Sequence, residues 1–162
     1  MADLTVEQRL QRFEDIQAIH KLKADYCHAC DGGWDRPTHD YDKVASLFVE
    51  EGSWDARPTA GFAEGREAIR ELFKTFRACP FAVHYVTNPQ IEVDGDTATG
   101  NWHLLLLIVM PENRQALYVM GIYNDEFVRT PEGWRFKTLR FTPAAFSPYE
   151  LGWGKAQFAP QE

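Results

Sequence analysis

The chain has 162 residues, of which 44% are hydrophobic and 14% aromatic. A single domain of this length can bury a substantial core, and this composition excludes a disordered chain. The formal net charge is −7 at pH 7, and lysines and arginines form no cluster outside stretches of mixed sign. We therefore expect neither nucleic acid nor an anionic membrane surface as a partner.

The start of the chain does not resemble a targeting segment. Residues Met1 to Gln8 contain acids where a secretory signal has a basic start and an apolar run. The longest apolar stretch, 104–110, is too short to span a bilayer. We expect a soluble, cytoplasmic protein.

The first predicted element is a long helix, which begins at a capping box formed by Thr5 and Gln8. Apolar residues then recur at spacings of three and four as far as Asp31-Gly32-Gly33, where glycine suits the left-handed end of a helix. Further along, the pattern predicts a short helix over 41–48, a short strand over 52–55, a loop over 57–61 and a third helix over 65–76.

From residue 81 onward the pattern is that of β-strands. Asp-Gly at 94–95 supplies the positive φ angles of a two-residue hairpin, and the segments 111–113 and 130–133 mark two further reversals. Four strands are therefore predicted as an antiparallel meander, at 81–93, 97–110, 115–129 and 134–146. Helices followed by a meander indicate an α+β fold with the helices on one face of the sheet.

One predicted strand segment, Leu104 to Met110, is apolar on both faces. Antiparallel sheets usually leave one face in water, so we expect the second face to be covered. Another subunit is the expected cover. The alternative is the chain's own C-terminal tail, which contains the aromatic residues Phe146, Tyr149, Trp153 and Phe158.

The cysteines are three in number, Cys27, Cys30 and Cys79. An odd count favours reduced thiols over a disulfide framework. Cys27-His28-Ala29-Cys30 has the spacing of a redox or metal motif, but it lies in the last turns of a helix, where the helix dipole disfavours a thiolate. We expect packing cysteines, and metal or redox use is the alternative.

No other pattern indicates a metal or a cofactor. The spacing of His, Asp and Glu matches no metal motif, and the chain lacks a glycine-rich phosphate loop and a serine nucleophile elbow. No role is predicted for four of the histidines. His20 and His28 have polar neighbours, His39 lies in a charged loop, and His103 faces away from its strand neighbours.

Asp31 and His84 form the candidate catalytic pair. Aspartate is disfavoured at a helix C-terminus, because the dipole there repels negative charge, so a function is one reason for its presence. His84 shares a strand face with Ala82 and Val86 and is predicted to point to the apolar side. A carboxylate that orients an imidazole can transfer protons. Each residue also has a structural alternative. Asp31 would only end the helix and His84 would be a hydrogen-bonded core residue. Tyr26, on the apolar side of the helix, would be a core aromatic rather than a phenol in a cavity.

Four segments of the chain match a known pattern. They are the first helix ending in Asp31, Glu-Gly-Arg-Glu-Ala-Ile-Arg at 64–70, His84-x-x-x-Asn88-Pro89 followed by Ile-Glu-Val-Asp-Gly-Asp-Thr-Ala at 91–98, and Gly-Trp-Arg-Phe at 133–136. Together they resemble the SnoaL-like branch of the nuclear transport factor 2-like superfamily. The resemblance covers nearly the whole chain, as one domain over 1–162 with a C-terminal tail at 147–162. It implies an α+β cone, in which a curved antiparallel sheet packs on N-terminal helices and encloses an apolar pocket.

Within this branch the chain is most similar to the group of bile-acid 7α-dehydratase, scytalone dehydratase and hexachlorocyclohexane dehydrochlorinase. The group implies a trimer with an Asp–His dyad at the pocket floor, which Asp31 and His84 match. Tyr26 matches a tyrosine of the dehydratases, where the dehydrochlorinase has lysine. Scytalone-type dehydration uses a second histidine that points into the pocket, and this chain has no obvious candidate for it. By position, the resemblance also implies substrate-binding roles for Trp54, Trp102, Leu104, Tyr123 and Arg140.

The expected function is that of a cofactor-independent dehydratase. His84 would remove a proton next to a carbonyl, Asp31 would fix the tautomer of His84, and Tyr26 or protonated His84 would protonate the departing hydroxyl. The expected substrate is a hydrophobic polycyclic hydroxy-ketone such as a steroid or bile acid, and the expected assembly is a homotrimer or else a dimer. Two alternatives stay open: ketosteroid-type isomerisation or polyketide cyclisation, and a non-catalytic small subunit of a ring-hydroxylating oxygenase.

Overall fold

Three helices and one six-stranded sheet make up the part of the chain that the computed structural model describes, residues 4–158. The helices are α1 (Val6–Cys30), α2 (Tyr41–Ser46) and α3 (Arg66–Phe76). The strands are β1 (Phe48–Ala56), β2 (Gly61–Glu64), β3 (Phe81–Asp94), β4 (Thr97–Val109), β5 (Ala116–Thr130) and β6 (Gly133–Pro148). Their order across the sheet is β2-β1-β6-β5-β4-β3. Among residues 4–158, no helix is both long enough and apolar enough to cross a membrane.

The strands β3 to β6 form the antiparallel meander that the turn residues predict. Gly95 and Gly133 stand at two of its reversals with φ values of 58° and 103°. Residues with side chains are strained in this region, which is why glycine occupies both turns. The predicted α+β fold is confirmed, and each of these four strands begins and ends within two residues of its predicted limits.

The other end of the sheet differs from the prediction. β1 runs parallel to β6, with Trp54 opposite Leu139, so the sheet is mixed rather than antiparallel throughout. β1 also begins at Phe48, before the predicted strand, and residues 61–64, for which no element is predicted, pair with it as β2. The local pattern does not reveal this, because β1 is ordered by β6, and the residues that pair between the two strands are more than 80 positions apart.

A buried ion pair lies in the core between α1 and the sheet. Nζ of Lys23 on α1 lies 2.8 Å from Oδ2 of Asp125 on β5, and both side chains are buried. The ammonium group also lies 3.3 Å from the ring centroid of Tyr123 and 5.2 Å from that of Trp102, a cation–π arrangement. Burial raises the pKa of Asp125 to about 6, although Lys23 opposes the shift. Each charge therefore depends on the other to remain in the core.

Replacing Lys23 by Met should lower the free energy of unfolding by about 3–5 kcal/mol, because the carboxylate of Asp125 would stay buried without a counter-charge. Combining Lys23→Met with Asp125→Leu should recover most of the loss, since apolar residues can replace a buried ion pair at little cost. Urea denaturation of the wild type and both variants measures the two effects. A double variant as unstable as the single one would show that charge burial is not the cause.

Candidate active site

The end of α1 is joined to β3, which is an edge strand of the sheet. Gly32, just after the helix, exchanges backbone hydrogen bonds with Ala82, with N···O distances of 3.0 and 3.2 Å. A Cβ atom on Gly32 would lie 2.7 Å from the carbonyl oxygen of Pro37, so only glycine fits. The junction provides partners for backbone groups that an edge strand leaves free. It also places Asp31 beside His84.

Asp31 and His84 form a hydrogen-bonded pair. Oδ1 of Asp31 lies 2.7 Å from Nδ1 of His84 and accepts the backbone N–H of His84 at 2.9 Å. The side chains of Asp31 and His84 are 9% and 5% exposed. Because a carboxylate only accepts hydrogen bonds, Nδ1 carries the proton and Nε2 keeps a free lone pair. One carboxylate oxygen thus fixes both the backbone and the tautomer of His84.

His84 lines an apolar cavity of about 190 Å³ between the helices and the sheet. The inward faces of neighbouring strands meet in register, with His84 opposite Leu106 and Leu106 opposite Val119. Helices α1 and α3 cover this face. Large apolar side chains therefore supply most of the lining, among them Trp54, Phe73, Leu104, Leu106, Val119 and Phe141.

Tyr26 enters the cavity from α1. Its hydroxyl oxygen accepts a hydrogen bond of 2.9 Å from the indole N–H of Trp54, and its ring centroid lies 6.3 Å from that of His84. Burial raises the pKa of Tyr26 well above its ordinary value, so the phenol keeps its proton at neutral pH. Since Trp54 donates to the oxygen, the hydroxyl hydrogen can be donated to a ligand.

The structure brings most of the predicted site residues together. Five of them line the cavity, Tyr26, Trp54, His84, Leu104 and Tyr123, and Asp31 is hydrogen-bonded to His84. Trp102 does not line it. This side chain is buried further along β4, where its ring centroid lies 6.0 Å from that of Phe127, so its position does not support the substrate-binding role that the resemblance implies.

Arg140 does not reach the cavity either. Its neighbours on β6, Leu139 and Phe141, are buried, so strand alternation turns Arg140 to the outer face. There its Nε lies 3.8 Å from Oδ2 of Asp55. The structure therefore places Arg140 away from the cavity at which the resemblance implies a substrate-binding role for it. The register of β6 shifts on each side of this residue, and such irregularities cannot be counted from sequence alternation.

A second histidine, His39, lines the cavity, contrary to the expectation that the chain lacks one. The residue is 5% exposed, and its ring centroid lies 6.0 Å from that of Phe73 and 5.8 Å from that of Phe76. Its backbone N–H donates to the carbonyl of Cys30 at 3.1 Å, so the loop after α1 folds back over the helix end. The φ of 52° at His39 helps the loop to turn back toward the helix. No local sequence pattern predicts this left-handed conformation.

The three cysteines are free, buried thiols, and Cys30 and Cys79 line the cavity. Burial raises the pKa of Cys27 to about 12 and also raises the pKa of Cys30 and of Cys79. Protonated thiols are poor nucleophiles and poor metal ligands, so the geometry supports a packing role. Over residues 4–158, no group of three or more His, Cys, Asp or Glu side chains is arranged to hold a metal ion.

The mixed sheet, the three helices and the cavity between them define a small α+β protein with the nuclear transport factor 2-like fold. A family model described as "SnoaL-like domain" matches residues 11–140. The chain belongs to the SnoaL-like family, as the motif pattern predicts.

Two relatives and one solved structure show the extent of the similarity. An uncharacterised protein of Mycobacterium tuberculosis is 33% identical over 123 residues, which are 75% of this chain and 80% of that protein. The gamma-hexachlorocyclohexane dehydrochlorinase of Sphingobium indicum is 27% identical over 147 residues, 84% of this chain and 88% of the enzyme. A crystal structure of an NTF2-like protein with a cystatin-like fold from Novosphingobium aromaticivorans has a TM-score of 0.70 and 29% identity, over 87% of this chain and 90% of that one.

Acid should destabilise the protein through His39. Burial lowers the pKa of His39 to about 3, with a further contribution from His84, whereas the unfolded chain titrates near 6.5. A lowered folded-state pKa gives stability that is present above pH 6.5 and is lost as the pH falls toward 3. Between pH 6.5 and 4.5 this loss should amount to about 2 kcal/mol. His39→Gln should lack it, which urea denaturation at the two pH values would detect. Equal pH dependence in both proteins would contradict the prediction.

Proposed function

We propose that the protein is a cofactor-independent lyase that removes water from a compact cyclic hydroxy-ketone. The observation that carries this proposal is the 2.7 Å contact between Asp31 and His84 at the wall of an apolar cavity. A base that is oriented by a carboxylate and shielded from water is what proton abstraction from carbon requires. The dehydrochlorinase relative, whose name denotes an elimination, supports the same class of reaction.

The proposed reaction needs only groups that this chain supplies. Nε2 of His84 takes a proton from the carbon next to the carbonyl, and ionised Asp31 stabilises the imidazolium that forms. The Tyr26 hydroxyl donates a hydrogen bond to the carbonyl oxygen, where negative charge collects. His84 then gives the proton to the departing hydroxyl, which leaves as water while the carbon–carbon double bond forms. Because burial keeps Tyr26 protonated, we assign the acid role to His84 rather than to the phenol.

The cavity volume limits the size of the proposed substrate. A cavity of about 150 Å³ lined by Leu, Ile and Phe holds benzene, whereas the pockets of drug-sized ligands have volumes of about 300–1,000 Å³. The cavity here, at about 190 Å³, is close to the first of these sizes. We therefore propose a substrate of one ring or two compact rings, in place of the steroid or bile acid that the family resemblance suggests.

His84→Ala should lower kcat by about a hundredfold or more, because the base is lost. Asp31→Asn should also lower kcat strongly, since an amide does not stabilise the imidazolium. His28→Ala, at an exposed histidine near the end of α1, is the matched control and should retain full activity. The assay incubates one-, two- and four-ring β-hydroxy-ketones with the protein and follows the loss of water by mass spectrometry and by absorbance.

Each outcome of this assay is informative. Retained turnover in His84→Ala would exclude the proposed base. A product of unchanged mass with shifted absorbance would replace dehydration by isomerisation with the same residues. Turnover of the four-ring compounds alone would overturn the size limit, and no turnover of any compound would favour a non-catalytic pocket.

We also propose that the protein is a homo-oligomer, with the trimer favoured. An apolar patch formed by Tyr85, Leu105 and Ile122 is exposed on the outer face of β3, β4 and β5, with Tyr85 directly opposite Leu105. Up to residue 158, the C-terminal tail covers a neighbouring part of the same face and leaves this patch exposed. Its residues Tyr149 and Trp153 pack on Tyr118, which shares the outer face of β5 with Ile122, with ring centroids 5.7 and 5.6 Å away. Residues 159–162 of the predicted tail lie outside the described range. Contiguous apolar surface of this kind is typical of subunit interfaces.

Leu105→Lys should dissociate the oligomer, because it would place a charge in the apolar patch. Leu10→Lys is the matched control, since Leu10 is an exposed leucine on α1. Size-exclusion chromatography with light scattering should give a trimer mass of three times 18.6 kDa for the wild type and the control, and the monomer mass for Leu105→Lys. A wild type that elutes as a monomer would rule out the proposed interface.

A further inference from the structure

His39 is a polar group at the cavity that lacks a protein partner. Its Nδ1 atom is buried and, among residues 4–158, has no hydrogen-bond partner. The aromatic rings of Phe73 and Phe76 lie beside it and offer no polar atom. Buried polar atoms in native proteins are nearly always hydrogen-bonded. Because Nδ1 has no surface that a ligand can touch, a ligand in the cavity would complete the hydrogen bonding of the ring at its other nitrogen, Nε2.

The backbone on both sides of His39 holds the ring in this position. The N–H of His39 donates to the carbonyl of Cys30, and the N–H of Asp40 donates to that of Ala29 at 2.7 Å. The Asp40 carboxylate then caps α2 by accepting the backbone N–H of Lys43 at 3.0 Å. The left-handed conformation of His39 is uncommon for a residue with a side chain and persists only where its surroundings fix it. The ring is thus presented to the cavity by a fixed loop.

We propose that His39 binds an oxygen substituent of the substrate, and so selects hydroxyl- or carbonyl-bearing rings over apolar or halogenated rings of the same shape. Nε2 of a neutral imidazole donates or accepts one hydrogen bond according to the tautomer, and a hydroxyl group can be the partner in either case. A site built to hydrogen-bond a polar substituent rejects an analogue that lacks it, because the buried group is then left unpaired. The choice of a substrate that loses water rests on the proposed function, whereas the selectivity itself is a binding property.

The lowered pKa of His39 agrees with this role. The ring stays neutral at working pH, so it does not repel His84 when that residue is protonated. It also does not compete with His84 for the proton removed from carbon. The two histidines that line the cavity thus have separate tasks, His84 in proton transfer and His39 in binding.

Phenol and toluene are suitable probes, because they share their shape and differ in one hydroxyl group. The variants His39→Leu and His39→Gln share the same backbone strain and have similar size, so the comparison isolates the polar group. His39→Leu should weaken phenol binding by about three- to tenfold relative to toluene, and His39→Gln should retain most of the preference. Isothermal titration calorimetry gives the affinities, and thermal unfolding shows that both variants are folded.

The inference is overturned if His39→Leu weakens both probes equally, if it leaves their affinity ratio unchanged, or if the wild type binds phenol no better than toluene. His84→Ala separates this result from the proposed function. An altered probe ratio in His39→Leu with undiminished turnover in His84→Ala would keep the inference and reject the lyase mechanism. An unchanged probe ratio in His39→Leu together with lost turnover in His84→Ala would reject the inference and keep the mechanism.

Discussion

The hydrogen-bonded junction between the end of α1 and the edge strand β3 is the constraint on which the site depends. Gly32 pairs with Ala82 through the backbone, and Asp31 pairs with the backbone and the ring of His84. The same contacts satisfy an exposed strand edge, end a helix and set the tautomer of an imidazole. The structural and functional explanations of Asp31 are therefore not alternatives, because one carboxylate oxygen serves both purposes.

Polar groups in the otherwise apolar interior are held in pairs, both in the core and at the cavity. Lys23 pairs with Asp125 in the core, whereas at the cavity the indole of Trp54 donates to Tyr26 and Asp31 holds His84. The low dielectric of the interior strengthens each of these contacts and makes an unpaired group costly. Such pairing leaves Nε2 of His84 and the imidazole of His39 for a ligand, and the proposed substrate class is inferred from these two groups.

Much of the fold is readable from local sequence. Gly95 and Gly133 mark reversals that depend on their own φ angles, and the alternation around His84 correctly places it with Ala82 and Val86 on the inner face. The Asp31–His84 pairing comes from the family resemblance, since nothing local links residues more than 50 positions apart. The burial of Lys23 cannot be predicted from the sequence, because a lysine in a helix is usually exposed. Only the folded chain brings Asp125 beside it.

The sequence by itself determined the α+β class, the meander and the identity of the candidate base, because these follow from periodicity, turn chemistry and family motifs over short segments. Only the tertiary structure decided that Arg140 lies outside, that His39 lies inside and that the cavity has the volume of a small ring compound. These properties depend on strand irregularities, on one left-handed residue and on the packing of distant side chains. Such features arise from contacts between remote segments, and a pattern within one segment cannot encode them.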